Sequence, residues 1–121
     1  MESTLRYFTR KHRALKDDYK TENKVNRDSC IVIARALEKL LKNEGREPQL
    51  FWLRSKAKDD AGNRLPLVPK PYNGRLNDWK AHIITIADNI VFDPMLPQPV
   101  KLNEYPTLAF EIELDINPLP Y

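Results

Sequence analysis

The most constraining feature of the sequence is the stretch 82–93, in which two short apolar runs flank an Asp-Asn pair. The runs His82–Ala87 and Ile90–Phe92 are rich in Ile, Val, Thr and Phe, which are residue types that favour strands. Asp88 and Asn89 tolerate the positive φ that a tight primed turn requires. The pattern therefore predicts a β-hairpin with a two-residue turn.

This hairpin would bring a histidine and an aspartate together. With the turn at 88–89, Ile84 lies opposite Asp93, and His82 lies on the same face, diagonal to Asp93. A diagonal separation of about 7 Å across the ladder is one that these two side chains can close to hydrogen-bond contact. A histidine oriented by an aspartate is the base half of a nucleophilic triad. An isolated pair of this kind also fits a strand-end histidine and a turn aspartate before Pro94.

Two amphipathic helices are predicted before the hairpin. In residues 3–20, apolar and aromatic side chains recur every three or four positions, and His12 lies on that stripe as a structural residue. A second helix begins at Asp28 or Ser29, either of which is a good N-cap, and ends at Gly45. One stripe of this second helix comprises Cys30, Ile33, Ala34, Leu37, Leu40 and Leu41.

Cys30 is expected in the first turn of the second helix. Unpaired N–H groups and the positive end of the helix dipole favour a thiolate there, and the thiolate is the nucleophilic form. The N–H of Cys30 is also a candidate donor to the oxyanion of a tetrahedral intermediate, with Asn26 or Asn23 as a side-chain donor. The alternatives are an inert packed thiol and asparagines that only shape the turn.

The remaining runs predict the rest of a small sheet. Residues 47–54 are typical of a first strand beside the hairpin, and 107–114 alternate as a strand with one buried face. Residues 55–78 lack periodicity, which predicts either a surface excursion or a loop that walls a substrate cleft, with Tyr72 and Trp79 as candidate contacts. The tail is predicted to be irregular. The expected class is α+β, with the N-terminal helices packed on a small antiparallel sheet.

Length and composition limit the class of protein. The 121 residues suffice for one domain, over 1–121, and 41% hydrophobic with 31% charged residues is typical of a globular chain. No apolar run is long enough to span a membrane, and the N-terminus lacks the apolar region of a signal peptide. We therefore expect a cytoplasmic protein without a membrane partner. The single cysteine excludes an internal disulfide and a zinc site of several cysteines.

The positive charge of the chain is concentrated near its start. The formal net charge is +3, and basic residues outnumber acidic ones in residues 1–27. No RNA-binding motif and no zinc-finger spacing accompanies these residues, so we expect a solvated helix face and no nucleic-acid partner.

A cysteine at a helix start, followed by a histidine and an aspartate on a hairpin, is the arrangement of papain- and transglutaminase-like enzymes. The segment D-S-C-I-V-I-A-R-A-L resembles the cysteine-helix motif of bacterial protein-glutaminases. W-K-A-H-I-I-T-I, followed by V-F-D-P-M-L-P-Q-P-V-K-L-N-E-Y, is similar to that family's histidine strand and aspartate segment. The likeness covers about residues 26–105, and D-P-M-L-P-Q-P-V is its most specific part.

The resemblance implies a papain/transglutaminase-like core with Cys30 as the nucleophile, His82 as the base and Asp93 as the orienting acid. The implied reaction deamidates protein-bound glutamine to glutamate through a thioester, with no metal or cofactor. The alternatives are a cysteine protease or transglutaminase with the same three residues, and a non-catalytic binding domain that uses the basic first helix. A compact chain without disulfides suits an effector or toxin domain delivered into another cell, with an inhibitor or immunity protein as a second partner.

Overall fold

The computed structural model describes residues 2–22, 29–72 and 79–120, which form three α-helices and a five-stranded antiparallel sheet. In chain order the elements are α1 (Thr4–Glu22), α2 (Ser29–Asn43), β1 (Gln49–Ser55), a short 3₁₀ helix (Lys70–Tyr72), β2 (His82–Ala87), β3 (Ile90–Phe92), β4 (Val100–Lys101), α3 (Tyr105–Ala109) and β5 (Leu114–Pro118). The strands lie in the order β4-β3-β2-β1-β5. The predicted α+β class is confirmed, and so is a first strand that pairs with the hairpin.

The hairpin of β2 and β3 forms as predicted. Asp88 and Asn89 have φ of 53° and 62°, the left-handed values that a primed two-residue turn requires. Ala87 pairs with Ile90 on either side of this turn, and Thr85 pairs with Phe92 two residues further along each strand. The register therefore leaves Asp93 immediately beyond β3, on the side of the sheet predicted for it.

Helix α2 ends where the sequence predicts, and its last turn shows why. Gly45 has a φ of 80°, and its N–H donates to the carbonyl of Lys42. The N–H of Arg46 donates to the carbonyl of Leu41 at 3.0 Å, which completes a Schellman motif. At the other end, the predicted cap Asp28 lies outside the described residues.

The central strand β2 is covered on both faces of the sheet. Thr85 and Ala87 lie on the α2 face, where Ala87 and Phe92 pack with Ile33, Leu37 and Leu41 of α2. Ile84 and Ile86 lie on the opposite face, in a cluster that includes Leu53, Tyr105 and Phe110. His82 shares this second face by strand alternation.

A buried hydrogen bond fixes α2 on β2. The hydroxyl of Thr85 donates to the carbonyl of Ala34 at 2.7 Å, one helical turn after Cys30. We expect Thr85→Val, which keeps the shape and removes the donor, to lower the free energy of unfolding by about 1 kcal/mol. Urea unfolding measures this loss. Thr9→Val, at an exposed position of α1, is the matched control and should stay within about 0.5 kcal/mol of the wild type; an equal loss in both variants would contradict the assignment.

The prediction of a strand over residues 107–114 is wrong. Residues Tyr105–Ala109 form helix α3, and the chain then forms β5 beside β1. Pro106 lies in the first turn of α3, where its fixed φ suits a helix and its missing N–H costs nothing. The observed burial is helical, since Tyr105 and Ala109 are buried while Leu108 is 47% exposed.

The tail predicted to be irregular also differs from the structure. Residues 114–118 form β5, which pairs with β1 from Ser55 to Phe51. This strand is at the edge of the sheet, where Pro118 is tolerated because one side of an edge strand needs no hydrogen bonds. The described part of the loop 55–78 contributes Leu67 and Tyr72 to the core, and 73–78 lie outside the described residues.

Candidate active site

The hairpin brings His82 and Asp93 into direct contact. Nε2–H of His82, at the start of β2, donates to Oδ2 of Asp93 at a distance of 2.9 Å. The two residues are 5% and 4% exposed, so water does not screen the interaction. The diagonal relation predicted from the hairpin register therefore ends in a hydrogen bond.

The Asp93 carboxylate accepts two further hydrogen bonds. The hydroxyl of Tyr105 donates to Oδ2 at 2.5 Å, and the backbone N–H of Met95 donates to Oδ1 at 3.0 Å. Burial alone would raise the pKa of Asp93, but the charge of His82 and these hydrogen bonds hold it below its usual value. Asp93 is therefore an ionised acceptor whose two oxygens are both engaged.

Cys30 lies half-buried in the first turn of α2, as predicted, and interacts with the His82 ring. Nδ1 of His82 is buried and has no hydrogen-bond partner among the described residues, so it is the ring nitrogen still available to the thiol. Burial would raise the pKa of Cys30, but the imidazole and a hydrogen bond from the backbone of Ile83 lower it below its usual value. The sulfur, imidazole and carboxylate thus lie in one line of contacts.

The charge state of His82 follows from the same contacts. Burial alone would lower the pKa of His82, but the carboxylate of Asp93 and the neighbouring Cys30 raise it to about 10. His82 is therefore protonated at neutral pH, and the lowered pKa of Cys30 shifts the thiol towards the thiolate. This is the ionised form in which a cysteine is nucleophilic.

Aromatic rings cover the imidazole on the face away from α2. The ring of Trp79 lies 4.7 Å from that of His82 between centroids, and Phe110 lies 6.3 Å from His82. Tyr72 and Trp79, the candidate substrate contacts, are each 4% exposed and pack together in this cluster. What the structure shows for them is packing around the imidazole; their contact with substrate stays a prediction.

Other residues singled out in the sequence fall in two groups. His12 of α1 has its Nδ1 at 2.9 Å from the carbonyl of Pro94, which joins α1 to the segment after Asp93, in keeping with a structural role. Asn23 and Asn26, the candidate oxyanion donors, lie outside the described residues. The backbone N–H of Cys30 stays the candidate donor within α2.

The contact of Tyr105 with Asp93 was not predicted from the sequence. The residue lies in the E-Y pair that closes the resembling segment, so a signal was present in the sequence. Tyr105 and Asp93 are 12 residues apart and no local pattern links the two, so the sequence alone does not indicate the contact. The intervening turn and the start of α3 make the contact.

Among residues 2–22, 29–72 and 79–120, no group of three or more His, Cys, Asp or Glu side chains is placed to hold a metal ion. In the same described part of the chain, no helix combines the length and apolar character needed to cross a membrane.

No family model, curated protein or solved structure matches the chain. The site must therefore be interpreted from its own geometry.

The ion pair of Cys30 and His82 predicts an unusual dependence of stability on pH. In Cys30→Ala the carboxylate of Asp93 still raises the pKa of His82, so folded His82 keeps a proton that the unfolded chain loses above its ordinary pKa of 6.5. The free energy of unfolding of this variant should therefore fall as pH rises above about 7, by up to about 1.4 kcal/mol per pH unit. In the wild type the fall is shallower, because folded Cys30 has lost a proton that the unfolded thiol still holds. Urea unfolding across this range gives both slopes, and equal slopes would contradict the ion pair.

Proposed function

We propose that this protein is a cysteine hydrolase of the protein-glutaminase type, with a papain/transglutaminase-like core, that deamidates glutamine side chains of other proteins. The observation that carries the proposal is the line of contacts from Cys30 through His82 to Asp93 at the start of α2. The charge states support these roles: the pKa of the Cys30 thiol is lowered, the imidazole of His82 is protonated and the carboxylate of Asp93 is buried and ionised. The resemblance of the surrounding segments to protein-glutaminases supports glutamine as the substrate.

The first half of the reaction forms a thioester. The Cys30 thiolate attacks the side-chain amide carbon of glutamine, and the backbone N–H at the start of α2 stabilises the resulting oxyanion. The His82 imidazolium gives its proton to the amide nitrogen as the carbon–nitrogen bond breaks. Ammonia leaves, and the glutamyl group stays on the sulfur.

The second half of the reaction regenerates the enzyme. Neutral His82 removes a proton from water, and the hydroxyl oxygen attacks the thioester carbon. The carbon–sulfur bond breaks, the product acid is released and loses its proton to solvent as glutamate, and the proton on His82 restores the ion pair with the Cys30 thiolate. Water is the only co-reactant, and Asp93 keeps the ring oriented and its charge balanced throughout.

An assay with an unstructured, glutamine-rich protein tests this function. We expect ammonia release together with glutamine-to-glutamate changes located by mass spectrometry, and no new fragments or crosslinks. Fragments would instead show a protease, and crosslinks to an added amine would show a transglutaminase, since all three reactions share the acyl-enzyme step. No product of any kind, with biological effect retained in Cys30→Ala, would show a binding domain.

The same mass mapping in a treated cell lysate identifies the target. We propose that the substrate is a protein segment with an accessible glutamine and that the chain acts as an effector or toxin domain in another cell's cytosol. An inhibitor or immunity protein would then cover the sulfur. Protection of Cys30 from alkylation by a co-purifying partner tests this point, and a partner that leaves the thiol accessible contradicts it.

A further inference from the structure

We infer that Tyr105 is a positioning residue of this site, whose hydroxyl holds the Asp93 carboxylate in the orientation that serves His82. The inference rests on the proposed function for its catalytic meaning. Its geometric basis is independent of the substrate. The hydroxyl donates at 2.5 Å to Oδ2, the same oxygen that accepts Nε2–H of His82 at 2.9 Å.

The two donors to Oδ2 and the third donor to Oδ1 stop the carboxylate from turning. A carboxylate with one partner can rotate about its terminal bond at little cost, since that torsion is broad. The N–H of Met95 holds Oδ1 from the adjoining turn, and Tyr105 holds Oδ2 from helix α3. Rotation of the carboxylate would break both contacts, so the acceptor stays directed at the His82 ring.

Tyr105 is itself fixed in place. It is fully buried, and its ring packs edge-on against Phe110 with centroids 6.3 Å apart. The N–H of Leu102, shortly before α3, donates to the carbonyl of Asn89 in the hairpin turn at 2.8 Å. Helix α3 is thus attached to the hairpin that carries His82 and leads into Asp93. This attachment fixes the positions of His82, Asp93 and Tyr105 relative to one another.

Burial and the charge of Asp93 keep the hydroxyl of Tyr105 protonated, and therefore a hydrogen-bond donor. The titratable groups that act on Asp93 or Tyr105 are His82, Cys30 and Tyr72, and burial raises the pKa of Tyr105 well above its usual value. The phenol of Tyr105 therefore stays protonated at any pH at which the enzyme works. By stabilising the ionised carboxylate, it also keeps the shared proton on the imidazole and away from Asp93.

The variant Tyr105→Phe removes one hydroxyl and keeps the ring. We expect kcat for ammonia release to fall about ten-fold, with KM changed by less than about two-fold, because the interaction affects catalysis and not substrate contact. We also expect the acid limb of the pH profile for Cys30 alkylation to move to higher pH, since Asp93 becomes easier to protonate. Tyr7→Phe, which removes the hydroxyl of a buried tyrosine in the other core cluster, should change neither readout.

A double-mutant cycle separates positioning from plain packing. In the Asp93→Ala background the hydroxyl has no carboxylate to hold, so adding Tyr105→Phe should leave the alkylation rate unchanged. The inference would be overturned if Tyr105→Phe lowered the alkylation rate by the same factor in both backgrounds. It would also be overturned if Tyr105→Phe changed neither kcat nor the pH profile of alkylation. If the wild type releases no ammonia, the proposed function fails, whereas the alkylation profiles still decide the role of Tyr105.

A measurement on the wild type guards against a variant that does not fold. A hydroxyl proton buried between Tyr105 and Asp93 exchanges slowly, so NMR should show a low-field tyrosine signal with a cross-peak to the Nε2 proton of His82. The absence of this signal in the folded protein would overturn the inference.

Discussion

Ammonia release from glutamine-containing proteins is expected to fall by at least about 10⁴-fold in Cys30→Ala. The thiolate is the only group on this line of contacts that can form the covalent intermediate, because His82 and Asp93 are committed to proton transfer and orientation. Cys30→Ser should be nearly as inactive, although it keeps a similar shape, because a hydroxyl is not ionised under conditions that ionise the thiol. Steady-state ammonia assays measure both losses.

The matched control for Cys30 is its neighbour Val32. Val32 lies in the same part of α2 and is 65% exposed, so Val32→Ala should keep full activity. Circular dichroism and urea unfolding should show that Cys30→Ala, Cys30→Ser and Val32→Ala are all folded, since Cys30 is only half-buried and contributes little to the core. Undiminished ammonia release from Cys30→Ala would show that Cys30 is not the nucleophile and that another group forms the covalent intermediate.

The second large effect is expected at His82. We expect His82→Gln to lower kcat by about 10³-fold or more, because the amide can hydrogen-bond Asp93 but cannot exchange a proton with Cys30, ammonia or water. His82→Ala should lose as much activity and also about 3 kcal/mol of stability, because it leaves the Asp93 carboxylate buried without its cation. Ammonia assays and urea unfolding on the two variants separate the catalytic loss from the structural one.

The chain's other histidine supplies the control. His12→Gln keeps a donor for the carbonyl of Pro94 and should leave kcat within about two-fold of the wild type. Asp93→Asn is expected to be damaging but less complete than either His82 variant, because the neutral amide still orients the ring while it no longer stabilises the imidazolium. If His82→Gln retained most of the wild-type activity, another base would have to be found.

The parts of the fold that could be predicted are those fixed by neighbours in sequence. The hairpin follows from strand-forming runs on either side of Asp88 and Asn89, and the end of α2 follows from Gly45. Both depend on backbone conformations that only a few residue types adopt. The hairpin register also determines which side chains share a face of the sheet. The contact of His82 with Asp93 could therefore be predicted from the sequence.

The segment 105–118 shows where sequence patterns fail. Alternating apolar residues at 108, 110, 112 and 114 fit a strand, yet the start of the run is helical because Tyr105 and Ala109 find buried positions one turn apart. A short apolar run does not determine its own structure, and tertiary packing decides between the alternatives. The contact of Tyr105 with Asp93 requires the helical conformation of residues 105–109. Because the sequence pattern predicts a strand over the later part of this segment, it does not predict the contact.

The approach of Cys30 to His82 is the least predictable feature of the site. Helix α2 packs on the Thr85 face of the sheet, whereas His82 belongs to the opposite face. The two meet because both lie at element ends, where the sulfur reaches the backbone of Ile83 and the imidazole beside it. Such a meeting depends on how far the helix is shifted along the strand, which the hydrogen bond from Thr85 to Ala34 sets and no local pattern encodes.

The central claim, an ionised sulfur held by an imidazole and a carboxylate, is tested most directly by the rate at which iodoacetamide alkylates the folded protein in mildly acidic solution. Since the chain has a single cysteine, every labelled molecule reports Cys30. We predict that the wild type reacts much faster than the same chain unfolded in urea, and that His82→Gln loses this advantage. A folded wild type that reacts no faster than the unfolded chain, or a His82→Gln variant that reacts as fast as the wild type, would contradict the account.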